Sequence, residues 1–76
     1  MKLYAGGLLD FYLPGRCSRT EIEIKEPTRL GEVLAGLGIP LAEVHLVVVN
    51  GQLVDLDEAV VSDDDQVKIY PAVNGG

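Results

Sequence analysis

The sequence predicts a two-layer α+β domain, a single mixed β-sheet packed on one main helix. Three observations carry this expectation. Two segments, "TEIEIK" at 20–25 and "QVKIY" at 66–70, alternate apolar and polar residues, which is the signature of half-buried strands. A third segment, "VHLVVVN" at 44–50, is a nearly continuous apolar run rich in valine. The stretch "TRLGEVLAGLGIP" supplies the helix, and one helix of about ten residues covers only one face of a sheet.

Taken in order, residues 2–5 begin a short strand that Gly6 and Gly7 break or turn. The segment "LLDFYLPG" that follows is rich in Leu and aromatics and is either a helical turn or a loop on the core. "GRCSR" reads as a polar connection. In 20–25, Ile22 and Ile24 share one face while Glu21, Glu23 and Lys25 share the other. Thr28 can cap a helix whose Leu30, Val33, Leu34 and Leu37 fall at i, i+3, i+4 and i+7, one apolar stripe. Gly38 stands where a C′ glycine belongs and Pro40 prevents continuation.

The valine run suits a central strand covered on both faces. Asn50-Gly51 then lies between two apolar runs, a strong tight-turn signal. "VDLDEAVVSDDDQ" is an acidic, irregular crossover, and Val67 and Ile69 point inward from the last strand. The order strand, strand, helix, strand, short strand, last strand matches a β-grasp. In that arrangement the first and last strands lie side by side at the centre, with the helix across them.

The chain has 76 residues, room for one domain, residues 1–76. A domain of this size buries roughly 60–65% of its unfolded surface. Six Lys and Arg against twelve Asp and Glu give a net charge of −6. That argues against nucleic acid or an anionic membrane as partner, since both need a basic footprint. A partner with a basic surface fits better, and such complementarity mainly speeds encounter. Cys17 is the only cysteine, so no internal disulfide is expected. The N-terminus lacks a basic region followed by a long apolar stretch. No segment approaches the ~18 apolar residues of a membrane span. The expected location is the cytoplasm.

The chain finishes "YPAVNGG". Pro71 has no N–H, so regular strand pairing should end about there, and 71–76 reads as an extended, flexible tail. It reaches at most roughly 20 Å when extended. Gly75 and Gly76 have no Cβ, so the tip is thin enough for a narrow crevice. Its one reactive group is the terminal carboxylate, an anion at neutral pH with a pKa of about 3.5. That anion becomes an acyl donor if a partner converts it to an acyl-adenylate with ATP. The bland reading is a frayed, inert chain end.

The pattern "DDDQVKIYPAVNGG" resembles the ending of the MoaD/ThiS family of ubiquitin-like sulfur carriers: an acidic turn, an alternating strand, an aromatic-Pro pair and a terminal Gly-Gly. "VVVNGQLV" resembles that family's central strand and turn, and "TRLGEVLAGLGIP" its helix. The aromatic-Pro-x-Val-x-Gly-Gly ending is more typical of the small subunit of molybdopterin synthase than of the thiamine-pathway carriers. Residues 6–19 depart from the usual start of that subunit. Ubiquitin itself shares the length and the Gly-Gly, but not the basic residues preceding it.

The resemblance implies a carrier without its own active site, with no catalytic residue, no metal and no bound cofactor. ATP is consumed by an activating, adenylating enzyme that modifies Gly76, with Gly75 behind it, and sulfur is carried as a C-terminal thiocarboxylate. The receiving partner is the molybdopterin synthase large subunit or, as the alternative, a thiazole synthase. A ubiquitin-like protein modifier and an inert-tailed interaction domain are the rival classes. The free carrier is expected to be a monomer. Tyr70, Pro71 and Val73 are candidate partner contacts, as an apolar and aromatic anchor beside the tail, with Asp63, Asp64 and Asp65 as an acidic steering rim.

Other residues carry less. Cys17 is a single loop cysteine with no nearby histidine in the sequence. His45 opens the valine-rich strand, and one histidine does not build a metal site. Asp63, Asp64 and Asp65 lack calcium-loop spacing. Gly6-Gly7 and Gly36-x-Gly38 lack the context of a phosphate loop.

Overall fold

The computed structural model of the chain describes residues 1–72, apart from the side chain of Arg16. Strands β1 (Lys2–Ala5), β2 (Arg19–Glu21), β4 (Val44–Val49), β5 (Gln52–Val54) and β7 (Gln66–Pro71) form one sheet in the order β2-β1-β7-β4-β5. Strands β3 (Thr28–Arg29) and β6 (Val60–Val61) form a separate two-stranded pair. Helix α1 spans Leu30–Gly36. β1 and β7 run parallel at the centre, with Lys2 opposite Gln66 and Ala5 opposite Ile69. All other strand pairs are antiparallel. This is the expected α+β β-grasp.

The core lies between the sheet and the helix. Leu3 and Ala5 from β1, Val47 from β4, and Val67 and Ile69 from β7 are buried on one side of the sheet, against Leu30 and Leu34 of α1. Leu34 is 0% exposed, so the expected helical stripe does face the core. The helix ends as the sequence indicates. Gly38, at φ +82°, donates its N–H to the Ala35 carbonyl, and Ile39 donates to the Leu34 carbonyl. These two bonds make a Schellman motif, and buried Ile39 supplies its apolar contact.

The start of the helix differs from expectation. Thr28 is not its cap. Thr28 lies in β3, opposite Val61, and its hydroxyl donates to the Glu26 carbonyl. Arg29 holds the cap position with no side-chain bond, and the Leu30 N–H donates to the Ala59 carbonyl at 2.9 Å. A backbone carbonyl beside β6 therefore satisfies one of the four N–H groups that the first turn of a helix leaves without a partner inside the helix. The same pairing shortens the helix to seven residues and gives the acidic crossover a strand that its sequence does not announce.

The second strand is also shorter than 20–25. Ladder pairing with β1 ends at Glu21. One further rung follows: the Ile22 N–H donates to the Met1 carbonyl, and the Met1 ammonium donates to the Ile22 carbonyl. The Ile24 N–H then turns to Asp63 Oδ1 at 2.9 Å. The alternation still holds in burial, with Ile24 buried and Ile22 half-buried.

Asn50 and Gly51 form a two-residue turn with φ +52° and +85°, the pair of positive values a type I′ hairpin turn requires. Asn50 also clamps the turn. Its Oδ1 accepts the Gln66 N–H, and its Nδ2 donates to Asp65 Oδ1, both at 2.9 Å.

Strand β4 is not covered on both faces. Val47 is buried, but Leu46 is 42% exposed on the opposite side. The single helix shields one face of the sheet and leaves the other open.

Candidate functional site at the root of the C-terminal tail

Tyr70 and Pro71 are the last two residues of β7. Of the other residues expected to act, Val73, Gly75 and Gly76 lie outside the described residues. Pro71 stays within the strand, opposite Val44, as a proline can at a strand end. Tyr70 pairs with Leu46 on β4 and sits on the open face of the sheet, half-buried. Its ring lies 6.0 Å from that of Tyr4, tilted by 58°. The Arg19 guanidinium in turn lies 5.7 Å from the centre of the Tyr4 ring, a cation–π geometry.

The β1 side of this strand end is built by the Gly6-Gly7 pair, which the sequence marks only as a break. The Gly6 N–H donates to the Ile69 carbonyl at 2.8 Å. A Cβ on Gly6 would stand 2.6 Å from Tyr70 Cδ1, and one on Gly7 2.6 Å from Pro71 Cγ. Gly7 also has φ +59°, a conformation costly to other residues. Glycine at both positions lets the backbone lie directly against the Tyr70 and Pro71 rings. From there the chain winds into a 3-10 helix over Gly7–Tyr12, which answers the choice between loop and helical turn. Leu9 and Leu13 anchor this segment in the core. The Tyr12 hydroxyl donates to Glu43 Oε2 at 2.8 Å, a bond that holds the phenol protonated and raises its pKa.

The acidic turn does not rim this site. Asp65 immediately precedes β7, and Tyr70 lies five residues further along the strand, roughly 16 Å away. Asp63 and Asp65 instead fasten the opposite end of the sheet. Asp63 accepts the Ile24 N–H and faces the Met1 ammonium at 3.5 Å. Both interactions, the Ile24 bond first, hold its carboxyl below the usual range. Asp65 is lowered by the Asn50 amide and then by the Ser62 N–H. The charged groups that share the open face with Tyr70 include Lys68, Lys2 and Arg19. They are legible only once register assigns Lys68 and Tyr4 to the same face.

Cys17 is exposed in the connection before β2, with its Sγ 3.8 Å from the Gly15 carbonyl. His45 is exposed near the start of β4. Among the described residues, no group of three or more His, Cys, Asp or Glu side chains is placed to hold a metal ion. Among the same residues, no helix is long and apolar enough to cross a membrane.

A central parallel pair formed by the first and last described strands, with one α-helix across the sheet, defines a ubiquitin-like protein. The chain belongs to the Mut7-C ubiquitin family, whose model matches residues 2–75. No curated protein matches it.

Proposed function

We propose that this protein is a sulfur carrier, activated by adenylation at Gly76 and bearing sulfur as a C-terminal thiocarboxylate. The observation that carries the reading is the course of β7. The strand runs through the centre of the sheet, is seated at Pro71 against Gly7, and leads straight into the sequence "AVNGG". The described strand thereby ends at a fixed point, and the sequence that follows it carries no side chain at Gly75 and Gly76.

The chemistry needs a partner. A carboxylate oxygen of Gly76 attacks the α-phosphorus of ATP on the activating enzyme, and pyrophosphate leaves. A sulfide-level donor then adds to the acyl carbon and AMP leaves, giving the thiocarboxylate. With no side chain on Gly75 or Gly76, nothing shields that carbon from attack. The aromatic-Pro ending favours delivery to the large subunit of molybdopterin synthase, for molybdenum- or tungsten-cofactor synthesis, over delivery to a thiazole synthase.

Mass spectrometry of the protein isolated from its native host tests this. A terminal gain of one sulfur in place of one oxygen is expected, abolished by deleting Gly76. Conjugates to lysines of other proteins would make it a modifier instead. An unchanged mass in the presence of its activating enzyme would refute the carrier reading.

A further inference from the structure

Three of the six basic residues of this acidic chain stand on one side of its sheet. Strand register flanks Tyr4 of β1 with Arg19 of β2 and Lys68 of β7, and puts Lys2 two residues before Tyr4 on the same side. These positions alternate with the buried Leu3, Ala5, Val67 and Ile69, so they face away from the helix. Glu21 is the one carboxylate among the strand residues of this half of the sheet. Three cations and one carboxylate leave a local charge of +2, in a chain of −6.

None of the three cations is neutralised by a neighbour. Among the described residues, the one ion pair joins the Met1 ammonium to Asp63. Arg19 is instead held over the Tyr4 ring, 5.7 Å from its centre. The Tyr70 ring stands 6.0 Å from that of Tyr4, tilted by 58°. A groove of about 660 Å³ runs over this half of the face, and Lys2, Tyr4, Arg19, Lys68 and Tyr70 all line it. Small-ligand sites fall in the range of about 300–1,000 Å³. A structural cation–π pair accounts for Arg19 and Tyr4 alone. It leaves the unpaired Lys2 and Lys68 and the groove between the tyrosines without a reason.

We propose that this groove is a binding site for a phosphomonoester carried on a planar ring, the chemistry of a nucleoside monophosphate. A phosphomonoester carries a charge of about −1.5 to −2 at neutral pH, which matches the local +2. A lone carboxylate is too weakly charged to use three cations, and a triphosphate exceeds them. Arg19 offers a planar fork of donors that fits phosphate oxygens, while Lys68 and Lys2 act as point charges. The ring of the ligand lies against the aromatic face of Tyr70. Because Tyr4 already places the guanidinium, less side-chain freedom is lost on binding. The acidic remainder of the chain disfavours the same anion elsewhere on the surface. The site does not depend on the carrier reading, and its test does not involve Gly76.

The test is a titration of the full chain with AMP at low salt, followed by backbone amide resonances. Saturable shifts are expected at 2–4, 19–21 and 66–70. AMP is expected to bind at least roughly tenfold more tightly than adenosine, which lacks the phosphate, and than ribose 5-phosphate, which lacks the ring. K68E/R19E is expected to weaken AMP binding by roughly tenfold or more, and added salt to weaken it in the parent. K25E/R29E changes charge by the same amount at exposed positions outside the five-stranded sheet and is expected to bind as the parent does. Circular dichroism checks that each variant is folded. Absence of saturable shifts at millimolar AMP would overturn the proposal, as would shifts centred elsewhere. Equal binding of AMP, adenosine and ribose 5-phosphate, or an equal loss in K25E/R29E, would overturn it as well.

Discussion

Gly7→Ala tests the glycine seat at the end of β7. The new methyl group would lie 2.6 Å from Pro71 Cγ and 3.0 Å from Cδ. A proline ring at a paired position cannot rotate away as a long side chain would. The residue also sits at φ +59°, which costs an L-residue roughly 1–2 kcal/mol. Overpacking adds about 1–3 kcal/mol. A total near 3 kcal/mol lowers the melting temperature of a domain this size by roughly 12–24 °C. Gly36→Ala is the matched control. Gly36 lies in the helix, is exposed, and has nothing within 4 Å of an added Cβ. The same substitution there is expected to stabilise by about 0.5 kcal/mol. Urea unfolding of both variants gives the comparison, and the Ala72 amide resonance reports whether the strand end has moved. A Gly7→Ala loss below about 0.5 kcal/mol, with the Ala72 resonance in place, would show that the contact is not a constraint.

Leu34→Ala should cost about 2–4 kcal/mol by denaturant unfolding, because Leu34 is fully buried on the only α-helix among the described residues. On the proposed carrier reading, Tyr70→Ala should weaken binding to an activating enzyme by at least about 1 kcal/mol; unchanged affinity with lowered stability would assign Tyr70 to the fold alone. Asp63 and Asp65 both have folded pKa values below their unfolded ones. Their contribution is therefore complete above the ordinary carboxylate range and is lost as pH falls through and below about 4. Unfolding curves at neutral and acid pH should show this loss, and Asp63→Asn with Asp65→Asn should flatten it.

What the sequence makes legible is what neighbours in the chain decide. The stripe of Leu30, Val33, Leu34 and Leu37, the C′ glycine at 38 and the Asn50-Gly51 turn all depend on residues within a few positions, and all appear where expected. The end of β2 does not, because it is set by Asp63, 39 positions from Ile24. The helix start is set by Ala59, and the role of Gly6 and Gly7 by Tyr70 and Pro71. Composition does not describe the site's own charge for a related reason. A net charge describes the whole chain, whereas the charge beside Tyr70 is chosen by strand register.

The central pairing of β1 with β7 joins residues 64 positions apart, from Lys2 opposite Gln66 to Ala5 opposite Ile69. Closing so long a loop carries an entropic cost before any contact offsets it, and topologies dominated by such contacts fold slowly. The seat for Pro71 is made from residues at the other end of the chain. A ribosome-bound or truncated chain lacking either end cannot assemble it. The position of the end of β7 is therefore a readout of complete folding. An enzyme that recognises the sheet face together with the tail would act on the finished domain and pass over unfinished chains.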